Sequence, residues 1–322
     1  TKSMEKIVSL CKRRGIIFPS SEIYGGFANS YSYGPLGSEI KKNVKDLWWK
    51  NFVRDREEMV GIDGPILLHP KTWEASGHLE NFNDQLVDCK NCRARLRADH
   101  LVESKLKIDC EGLDDDAVSK LIAENDIKCP KCGEKNFTPV RKFNLMFSTE
   151  MAKTGEHSQA FLRPETAQAI FLDYKNVVDS TRVKLPFGIG QIGKAFRNEI
   201  TPGNFIFRVI EFEQMEIEYF IRPENWEKLF EKWFDAMKNW CEEIGLSPEN
   251  FHEYEHAPEK LSHYSKRTID IEYDFPFGKK ELYGLAYRTD FDLTQHEKFS
   301  NQKLRWRDEG GEPFVPHVLE PT

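Results

Sequence analysis

The spacing of apolar residues along the chain predicts helices separated by groups of strands. Apolar side chains recur at helical spacing over residues 38–54, where Ser38 is placed to cap the helix. Shorter helices are predicted over residues 3–14 and after Pro164. The clearest helix has Pro223 in its first turn, and its apolar face is formed by Trp226, Leu229, Phe230, Trp233, Met237, Trp240 and Ile244.

Strand-like alternation occupies residues 183–221 and again residues 267–293, the latter around the turn PFGKK. These strands come in groups with helices between them, rather than as repeated βαβ units. The pattern therefore predicts an α+β fold in which an antiparallel sheet is flanked by helices.

A glycine pattern in the first strand region resembles a dinucleotide-binding signature. Gly188, Gly190 and Gly193 match GxGxxG, and acidic residues follow after about 20 positions, at Glu211 and Glu213. However, the sequence TPGN interrupts the chain soon after Gly193, before a crossover helix could form, and the segment alternates with a period of two. The sequence therefore argues against a Rossmann fold.

Length and charge narrow the class of protein. The 322 residues suit one large domain or two to three modest ones, and 39% hydrophobic content is enough for a core. The net charge of −7 argues weakly against non-specific nucleic-acid binding. No apolar run approaches the roughly 20 residues of a membrane span, and the N-terminus lacks the apolar core of a signal peptide. A cytoplasmic location without membrane contact is expected.

Two cysteine pairs predict a metal site. Cys89 and Cys92 form one CxxC knuckle, and Cys129 and Cys132 form a second, which is followed by glycine. Four thiolates complete the tetrahedral shell of a structural zinc ion and leave no position open for catalysis. The alternative is free or redox-active thiols, and Cys110 is the one other cysteine that could compete as a ligand. The residues between the pairs leave room for a helix over 113–125.

The stretch FRNEITPGNFIFRVIEFEQMEIEYF, residues 196–220, places charges on what the alternation predicts to be a central strand pair. Arg208, Phe212 and Glu216 share one face, and Arg197 and Glu199 share a face of the preceding strand. A solvated face with cross-strand ion pairs is the simple alternative. The many apolar neighbours favour a ligand instead, because arginines bind phosphates, an aromatic ring stacks on a base, and carboxylates bind ammonium or magnesium. Together these groups suit ATP and an amino acid.

FRNE, the loop after it and FRVIEF resemble motif 2 of the class II aminoacyl-tRNA synthetases. The whole stretch from Ile7 to Thr322 is similar to the dimeric glycyl-tRNA synthetases. The resemblance implies that residues 38–54 and the strand after them are motif 1, which builds a homodimer interface. It rests on EFEQMEIE and on five further motifs in order: WEASGH (73–78), RADH (97–100), RPETAQ (163–168), HYS (263–265) and RTDFDL (288–293).

The resemblance implies an ATP site with magnesium. Arg197 would hold the α-phosphate and stabilise the transition state, and Glu199 would contact the adenine edge. Arg208 would reach the outer phosphates and, with Arg197 and Glu199, form the catalytic set. Phe212 would stack on adenine, and Glu281 would serve the magnesium ion. The ATP site would be completed by Asn198, Phe207 and Leu282.

The resemblance also implies a glycine pocket. Its carboxylates would hold the ammonium group and leave no space for a β-carbon, so that steric exclusion gives selectivity. Glu165, Glu216 and Glu320 would surround the amino acid, with Arg97 and Arg288 nearby. The remaining glycine-binding positions would be Phe212, Glu213, Gln214, Met215 and Thr322. Thr322 stands where the family has serine, and its extra methyl group would crowd the pocket.

The predicted domains are residues 1–88, the first part of the catalytic domain with motif 1, then 89–142, a small zinc-ribbon-like insertion, and 143–322, the rest of the catalytic domain with motif 2. The sequence ends at PHVLEPT, where motif 3 would begin. Motif 3, with its phosphate-binding arginine, and an anticodon-binding domain are therefore not in this sequence.

The resemblance implies a homodimeric ligase that activates glycine with ATP and transfers it to tRNA(Gly). Two alternatives remain. A catalytically silent synthetase-like accessory or nucleic-acid-binding protein would lack motif 3 but would have no reason to keep the ATP-site residues. A zinc-ribbon nucleic-acid binder would use the basic residues around the first cysteine pair: Lys90, Arg93, Arg95 and Arg97.

Overall fold

The protein is described by a computed structural model that covers residues 3–108, 110, 112–152, 159–200 and 203–322. Its α-helices are α1 Met4–Arg13, α2 Pro35–Trp49, α3 Pro70–Ala75, α4 His78–Asn81, α5 Ala98–Leu106, α6 Asp115–Glu124, α7 Ala167–Thr181, α8 Trp226–Glu243 and α9 Phe291–Ser300. The β-strands are β1 Ile17–Pro19, β2 Tyr31–Tyr33, β3 Met59–Gly61, β4 Leu67–Leu68, β5 Asn83–Asp88, β6 Arg95–Arg97, β7 Arg141–Asn144, β8 Ser148–Glu150, β9 Gln159–Leu162, β10 Phe187–Phe196, β11 Glu211–Ile221, β12 Phe251–Glu255, β13 Arg267–Phe275, β14 Gly278–Thr289 and β15 His317–Pro321.

A seven-stranded sheet forms the centre of the molecule, in the order β12-β13-β14-β15-β11-β10-β3. Every neighbouring pair is antiparallel except β10 and β3, which run parallel. Further small sheets are formed by β1 and β2, by β4, β9 and β8, and by β6, β5 and β7. The prediction of an α+β fold with a central antiparallel sheet is confirmed.

Helices cover both faces of the central sheet. On one face, α8 buries the residues of its predicted apolar stripe, including Phe230, Trp233 and Met237, against β11, β13 and β14. On the other face, α7 packs Phe171 and Tyr174 against Phe220 of β11 and neighbouring apolar side chains. This cover makes the middle of β11 a fully buried strand, so any charge on it is removed from water.

The glycine pattern lies inside β10, which pairs antiparallel with β11, so the rejection of a Rossmann fold is confirmed. Packing explains these glycines. A β-carbon at Gly193 would lie 2.0 Å from a guanidinium nitrogen of Arg163, and one at Gly188 would lie 2.3 Å from the sulfur of Met59. Glycine is needed at both positions because neighbouring side chains leave no space for a β-carbon, and not because a nucleotide phosphate binds there.

The capping role predicted for Ser38 is wrong. Helix α2 begins at Pro35 after Gly34, so Ser38 lies within its first turn, where its hydroxyl donates to the carbonyl of Gly34 over 3.0 Å. Proline at the first helical position needs no amide partner, which lets the helix begin three residues earlier. At its other end α2 continues into a π-helical turn over Lys50–Arg54.

Residues around the cysteine pairs have their own small core. Strands β5, β6 and β7 form its sheet, and α5 and α6 pack together beside it. Asp114 caps α6 by accepting a hydrogen bond from the Ala117 amide over 2.7 Å, and the predicted helix within 113–125 is confirmed. The buried side chains include Val87, Ala98, Val102, Val118 and Ile122.

Within the described part of the chain, no helix has both the length and the apolar character needed to cross a bilayer.

Candidate active site

A cleft of about 720 Å³ opens at the end of the β10–β11 hairpin. It brings together most of the residues that the sequence assigned to ATP. Its lining includes Arg197, Glu199, Phe207, Arg208 and Phe212. The N-terminal hairpin covers one side of the cleft with Tyr31 and Tyr33 of β2. Two guanidinium groups and an aromatic ring therefore face a space of nucleotide size.

Arg197 is held at the mouth of this cleft by backbone and aromatic contacts. Its amide donates to the Ile210 carbonyl over 3.0 Å, and its Nε donates to the Pro164 carbonyl over 2.9 Å. The guanidinium carbon lies 5.3 Å from the ring centres of both Phe82 and Phe212. These contacts orient the guanidinium before any ligand arrives, which lowers the entropic cost of binding a phosphate.

The strands of the hairpin are shorter than the sequence predicted. β10 ends at Phe196 and β11 begins at Glu211, so Arg197, Glu199 and Arg208 lie on the connecting segment and not on strands. Gly203 and Arg208 form an isolated antiparallel pair within this segment. Thr201 and Pro202 of the predicted loop lie outside the described residues. Strand alternation alone therefore could not place these three side chains.

The loop is also tied to a second hairpin. The ring of Phe207 lies 5.1 Å from that of Phe275 and 4.9 Å from that of Phe277, at the turn between β13 and β14. Phe207 thus packs against aromatic side chains. The backbone N–H of Asn198 donates a hydrogen bond to the Leu145 carbonyl over 2.7 Å. Both residues anchor the segment that carries the two arginines.

Glu281 lies on β14 beside the cleft, and Leu282 follows it. Burial and the nearby Asp270 carboxylate raise the pKa of Glu281, while Arg197 and Arg208 oppose that rise. A β-carbon built at Gly284 would be 3.3 Å from Oδ1 of Asp270 and 3.4 Å from Oε1 of Glu281. Two carboxylates therefore approach this glycine, and the charges of both arginines act on that of Glu281.

A buried cluster of polar side chains around Glu216, called the acidic pocket below, lies further along the same face of β11. Glu216 is 1% exposed and accepts hydrogen bonds from the hydroxyls of Thr166 and Thr322, the latter over 3.2 Å. Burial, and next the Glu165 carboxylate, raise the pKa of Glu216. Thr322 exchanges two backbone hydrogen bonds with Gly284, which fixes the position of its hydroxyl.

Arg288 is buried at the base of this pocket. It donates through Nε and Nη2 to both oxygens of Asp292, over 2.8 and 2.9 Å, and through Nη1 to Glu320 over 2.6 Å. The ring of Tyr264 lies over the guanidinium, 3.8 Å from its carbon. The Arg288 guanidinium is thus paired with two carboxylates, so it cannot also neutralise the other carboxyl groups nearby.

Glu165 approaches the pocket from the segment before α7. Its carboxylate lies 3.2 Å from Nε2 of His78 and accepts from Nε2 of Gln168 over 3.1 Å. Burial alone would raise the pKa of Glu165, but His78 and Arg288 hold it below the ordinary value. Glu165 is therefore ionised at neutral pH.

The structure separates four predicted glycine-site residues from this pocket. Arg97, on β6, pairs with Asp84 over 3.1 Å and with Asp99, so it lies in the cysteine-containing unit. Glu213 pairs with Lys41 over 3.0 Å on the opposite face of β11. Met215 packs on that same face, against the α8 core, and Phe212 lines the ATP-sized cleft instead. Gln214 does face the pocket, where its side-chain oxygen accepts from the Thr166 amide over 3.1 Å.

Several pocket residues were not singled out from the sequence, although most lie inside the motifs that carry the resemblance. His78 ends WEASGH, Gln168 ends RPETAQ and Tyr264 is the centre of HYS. Asp292 belongs to RTDFDL, and Glu218 follows Glu216 by two residues on the same face. For Glu218 the available signal was a polar residue at a strand position that alternation predicts to be buried, and for the others it was their place inside these motifs.

The four cysteines of the two CxxC pairs meet at one point. Sγ of Cys89 lies 3.6 Å from that of Cys132, and Sγ of Cys92 lies 3.7 Å from that of Cys129. All four sulfurs are within 4.8 Å of one another. A hydrogen bond from the Cys92 amide lowers the pKa of Cys89 to about 7, whereas burial and hydrogen bonds with the other three thiols raise the pKa of Cys132 to about 12. This donor set fits a tetrahedral zinc ion.

The central antiparallel sheet and the hairpin with its arginines are the architecture of a class II synthetase. Comparison with known families agrees, because the tRNA synthetase class II core domain (G, H, P, S and T) matches residues 147–314, more than half of the chain. The glycyl-tRNA synthetase insertion domain 1 matches residues 109–145. The predicted fold class is therefore confirmed.

The most similar curated proteins include glycine–tRNA ligases from three bacteria. The protein of Alkaliphilus oremlandii is 53% identical over 328 aligned residues, covering 100% of this chain and 71% of the relative. Those of Bacillus anthracis and Geobacillus kaustophilus are 52% and 51% identical, each covering 99% of this chain and 71% of the relative. The chain belongs to the glycine–tRNA ligase family.

Proposed function

We propose that this protein activates glycine with ATP to glycyl-adenylate and pyrophosphate, and then transfers glycine to the 3′-terminal adenosine of tRNA(Gly). The observation that carries the proposal is the placement of two different pockets along one face of β11. Phe212 marks the nucleotide-sized cleft, and Glu216 marks the acidic pocket four residues on. About 13 Å separates their Cα atoms, given the rise of a strand, so that two small substrates can meet between them.

Adenylate formation needs no side-chain nucleophile. The glycine carboxylate attacks the α-phosphorus of ATP, and pyrophosphate leaves. Arg197, already oriented by Pro164, would bind the α-phosphate and stabilise the charge that develops there. Arg208 would bind the outer phosphates, Phe212 would stack on adenine, and Glu199 would contact its edge. Orientation and charge neutralisation supply the acceleration.

Glu281 is the residue we assign to the magnesium ion that accompanies ATP. Hard carboxylate oxygens suit Mg²⁺, and the approach of Glu281 and Asp270 on either side of Gly284 offers such donors beside the cleft. When bound with ATP, the ion would neutralise phosphate charge. Glu281 would hold it, and the neighbouring Leu282 would support the ATP site.

Glycine would bind in the acidic pocket by its ammonium group. Glu165 and Glu216 are the carboxyl groups of the cluster that would bind it, because Glu320 is already paired with Arg288. The methyl group and hydroxyl of Thr322 help to bound the pocket beside Glu216. A larger amino acid would place its β-carbon against these buried groups, which is the proposed basis of selectivity.

The four clustered thiols are proposed to bind one structural zinc ion. The ion would hold Cys89 and Cys92, which follow β5, against the knuckle of Cys129 and Cys132. Arg93 and Arg95 lie on the same unit, which makes it a candidate surface for the acceptor end of tRNA. The site needs its four cysteines as reduced thiols, which accords with a location in the reducing cytoplasm.

A homodimer is proposed from the apolar surface near the N-terminus. Ile23 and Tyr24 are 88% and 87% exposed, and the side chains of Phe27, Leu36 and Ile40 are also exposed. Leu36 and Ile40 lie on α2, the helix assigned to motif 1. Such an apolar surface is typical of an interface between subunits.

ATP–pyrophosphate exchange tests the proposed function. Exchange is expected with glycine and to be much weaker with alanine or serine, and purified tRNA(Gly) should then accept glycine. A folded protein that binds tRNA but shows no glycine-dependent exchange would support the silent accessory protein instead. A protein that binds single-stranded or duplex nucleic acids without preference for tRNA(Gly) would support the zinc-ribbon binder.

A further inference from the structure

Glu218 is a buried carboxyl group for which the proposed reaction has no use so far. It lies on β11 two residues beyond Glu216, and its exposure is 0%. Among the described residues, neither of its side-chain oxygens has a hydrogen-bond partner. An ionised carboxylate in that environment would cost several kcal/mol, so Glu218 needs either a proton or a nearby cation.

The strands on each side of β11 leave Glu218 in an asymmetric environment. On β10 it is paired with Ile189, which offers only an apolar side chain. On β15 the register pairs Tyr219 with Leu319, and its extension by one residue places Glu218 opposite Glu320. Oxygens of Glu216, Glu218 and Glu320 all lie within 4.8 Å of one another. Two carboxyl groups are thus the polar neighbours of Glu218.

The charges around this group are unbalanced. Asp292 of α9 and Glu165 before α7 add two further carboxylates, while β14 supplies the guanidinium of Arg288 and the segment before α7 supplies that of Arg163, whose charge acts on Glu216. His78 contacts Glu165 over 3.2 Å. From β10 and α7 the polar side chains are Gln191 and Gln168, which are uncharged, and the phenol of Tyr264 covers Arg288.

The partners of the other acids show which carboxyl group holds a proton. Glu165 has His78 and Gln168, Glu216 has two hydroxyl donors, and Glu320 and Asp292 have Arg288. Burial raises the pKa of both Glu218 and Glu320 well above the ordinary value, but Glu320 accepts a hydrogen bond from Arg288 whereas the oxygens of Glu218 have no partner among the described residues. Protonation is therefore least costly at Glu218.

We propose that Glu218 is a neutral carboxylic acid before glycine binds, and that it releases its proton when the glycine ammonium binds beside Glu216 and Glu320. The O–H bond of Glu218 breaks, the proton passes to solvent, and the ammonium keeps all three of its own protons. Glycine brings one positive charge into the pocket and the pocket loses one, so the net charge in this dry environment stays constant. Glu218 is in this sense a positioning residue, since it sets the charge that Glu216 and Glu320 present to the ligand. The inference rests on the proposed glycine site.

Isothermal titration of glycine in buffers of different ionisation enthalpy measures the coupling, because the observed heat then varies with the number of protons released. Between pH 6 and 9 the wild-type protein is expected to release more than about half a proton per glycine at its maximum. Glu218→Gln, an isosteric neutral variant, should bind glycine with release reduced to near zero. Glu249→Gln, at an exposed glutamate, is the matched control and should keep the wild-type value.

Two results would overturn the inference: glycine binding without proton release across this range, or unchanged release in Glu218→Gln. Infrared difference spectra of the wild-type protein give a second measurement that does not depend on the variant folding. Glycine should remove a carbonyl band of a protonated carboxyl group, and persistence of that band would contradict the proposal. Failure of the wild-type protein to bind glycine at all would instead count against the proposed function.

Discussion

The Thr322 hydroxyl donates a hydrogen bond to the Glu216 carboxylate over 3.2 Å, and the backbone of Thr322 is paired in both directions with Gly284. The side chain that departs from the family pattern therefore retains a polar role, and the strand pairing leaves it little freedom to turn away. Its hydroxyl and its methyl group can be tested separately.

Thr322→Val should raise the KM for glycine by about 10- to 100-fold, because it removes one hydrogen-bond donor from a buried carboxylate. Thr322→Ser keeps the donor and removes the methyl group, so its glycine KM should equal or fall below that of the wild type. Pyrophosphate exchange at varied glycine and saturating ATP measures both. Equal losses in the two variants would mean that the hydroxyl is not the important group.

Arg197→Ala should lower the rate of glycine-dependent exchange by about 10²- to 10³-fold, because its guanidinium is the group placed to stabilise charge at the α-phosphate. Arg307→Ala, at an exposed arginine, is the control and should leave the rate unchanged. Circular dichroism would verify that both variants fold. Near-normal exchange in folded Arg197→Ala would refute the motif 2 assignment.

Glu165→Gln and Glu216→Gln should each weaken the binding of glycine far more than the binding of ATP. Both carboxylates lie in the acidic pocket and not in the nucleotide-sized cleft. We expect at least about a tenfold increase in glycine KM, the size of effect that loss of a buried charged partner produces. The ATP KM measured in parallel should change little. Equal losses for both substrates would indicate a structural role for these carboxylates.

Cys129→Ser should lower the zinc content from one ion per chain to none, because three thiolates hold zinc less tightly than four. Cys11→Ser, at a half-buried cysteine outside the cluster, should keep its zinc. Metal analysis of freshly purified protein measures this, and hydrogen exchange should show faster exchange in residues 89–142 of Cys129→Ser alone. Aminoacylation should fall more than exchange. Absence of zinc from the wild-type protein would refute the site.

Glu218 should make stability depend on pH with a definite sign. Its folded-state pKa is raised, so on raising the pH the unfolded chain loses this proton first, at about pH 4.3, and the folded state is destabilised until its own carboxyl ionises. The free energy of unfolding of Glu218→Gln minus that of the wild type should therefore grow with pH, by up to about 1.4 kcal/mol per pH unit. Urea unfolding at pH 5 to 8 measures it. A constant difference would contradict the raised pKa.

The parts of the fold that sequence patterns predicted are those with long, regular periodicity. Helix α8 was predicted because its apolar residues recur at 3.6-residue spacing, and burial of Phe230, Trp233 and Met237 agrees. The antiparallel hairpin of β13 and β14 was predicted from alternation. Ser38 was misjudged because serine and proline both mark helix starts, and local sequence did not decide between them.

The site was harder to predict, because its contacts join distant parts of the chain. Alternation could not show that the ladder ends at Phe196, so Arg197 and Arg208 were placed on strands. Arg97 pairs with Asp84 of β5 and with Asp99 of α5. No local sequence pattern specifies how this small sheet and its adjoining helix pack. The resemblance supplied roles, while the distances between the side chains required the folded chain.

Strand β11 carries both proposed substrate sites on one face, and β10 is paired with it in continuous register from Phe212, opposite Ala195, to Glu216, opposite Gln191. The distance between the nucleotide site and the amino-acid site is therefore set by a fixed number of residues along a paired strand. Adding a single residue between them would turn one of the two side chains to the opposite face. The relative placement of the two proposed substrate sites is therefore intolerant of any change in the length of this strand, and the loop before it is constrained separately because it carries Arg197 and Arg208.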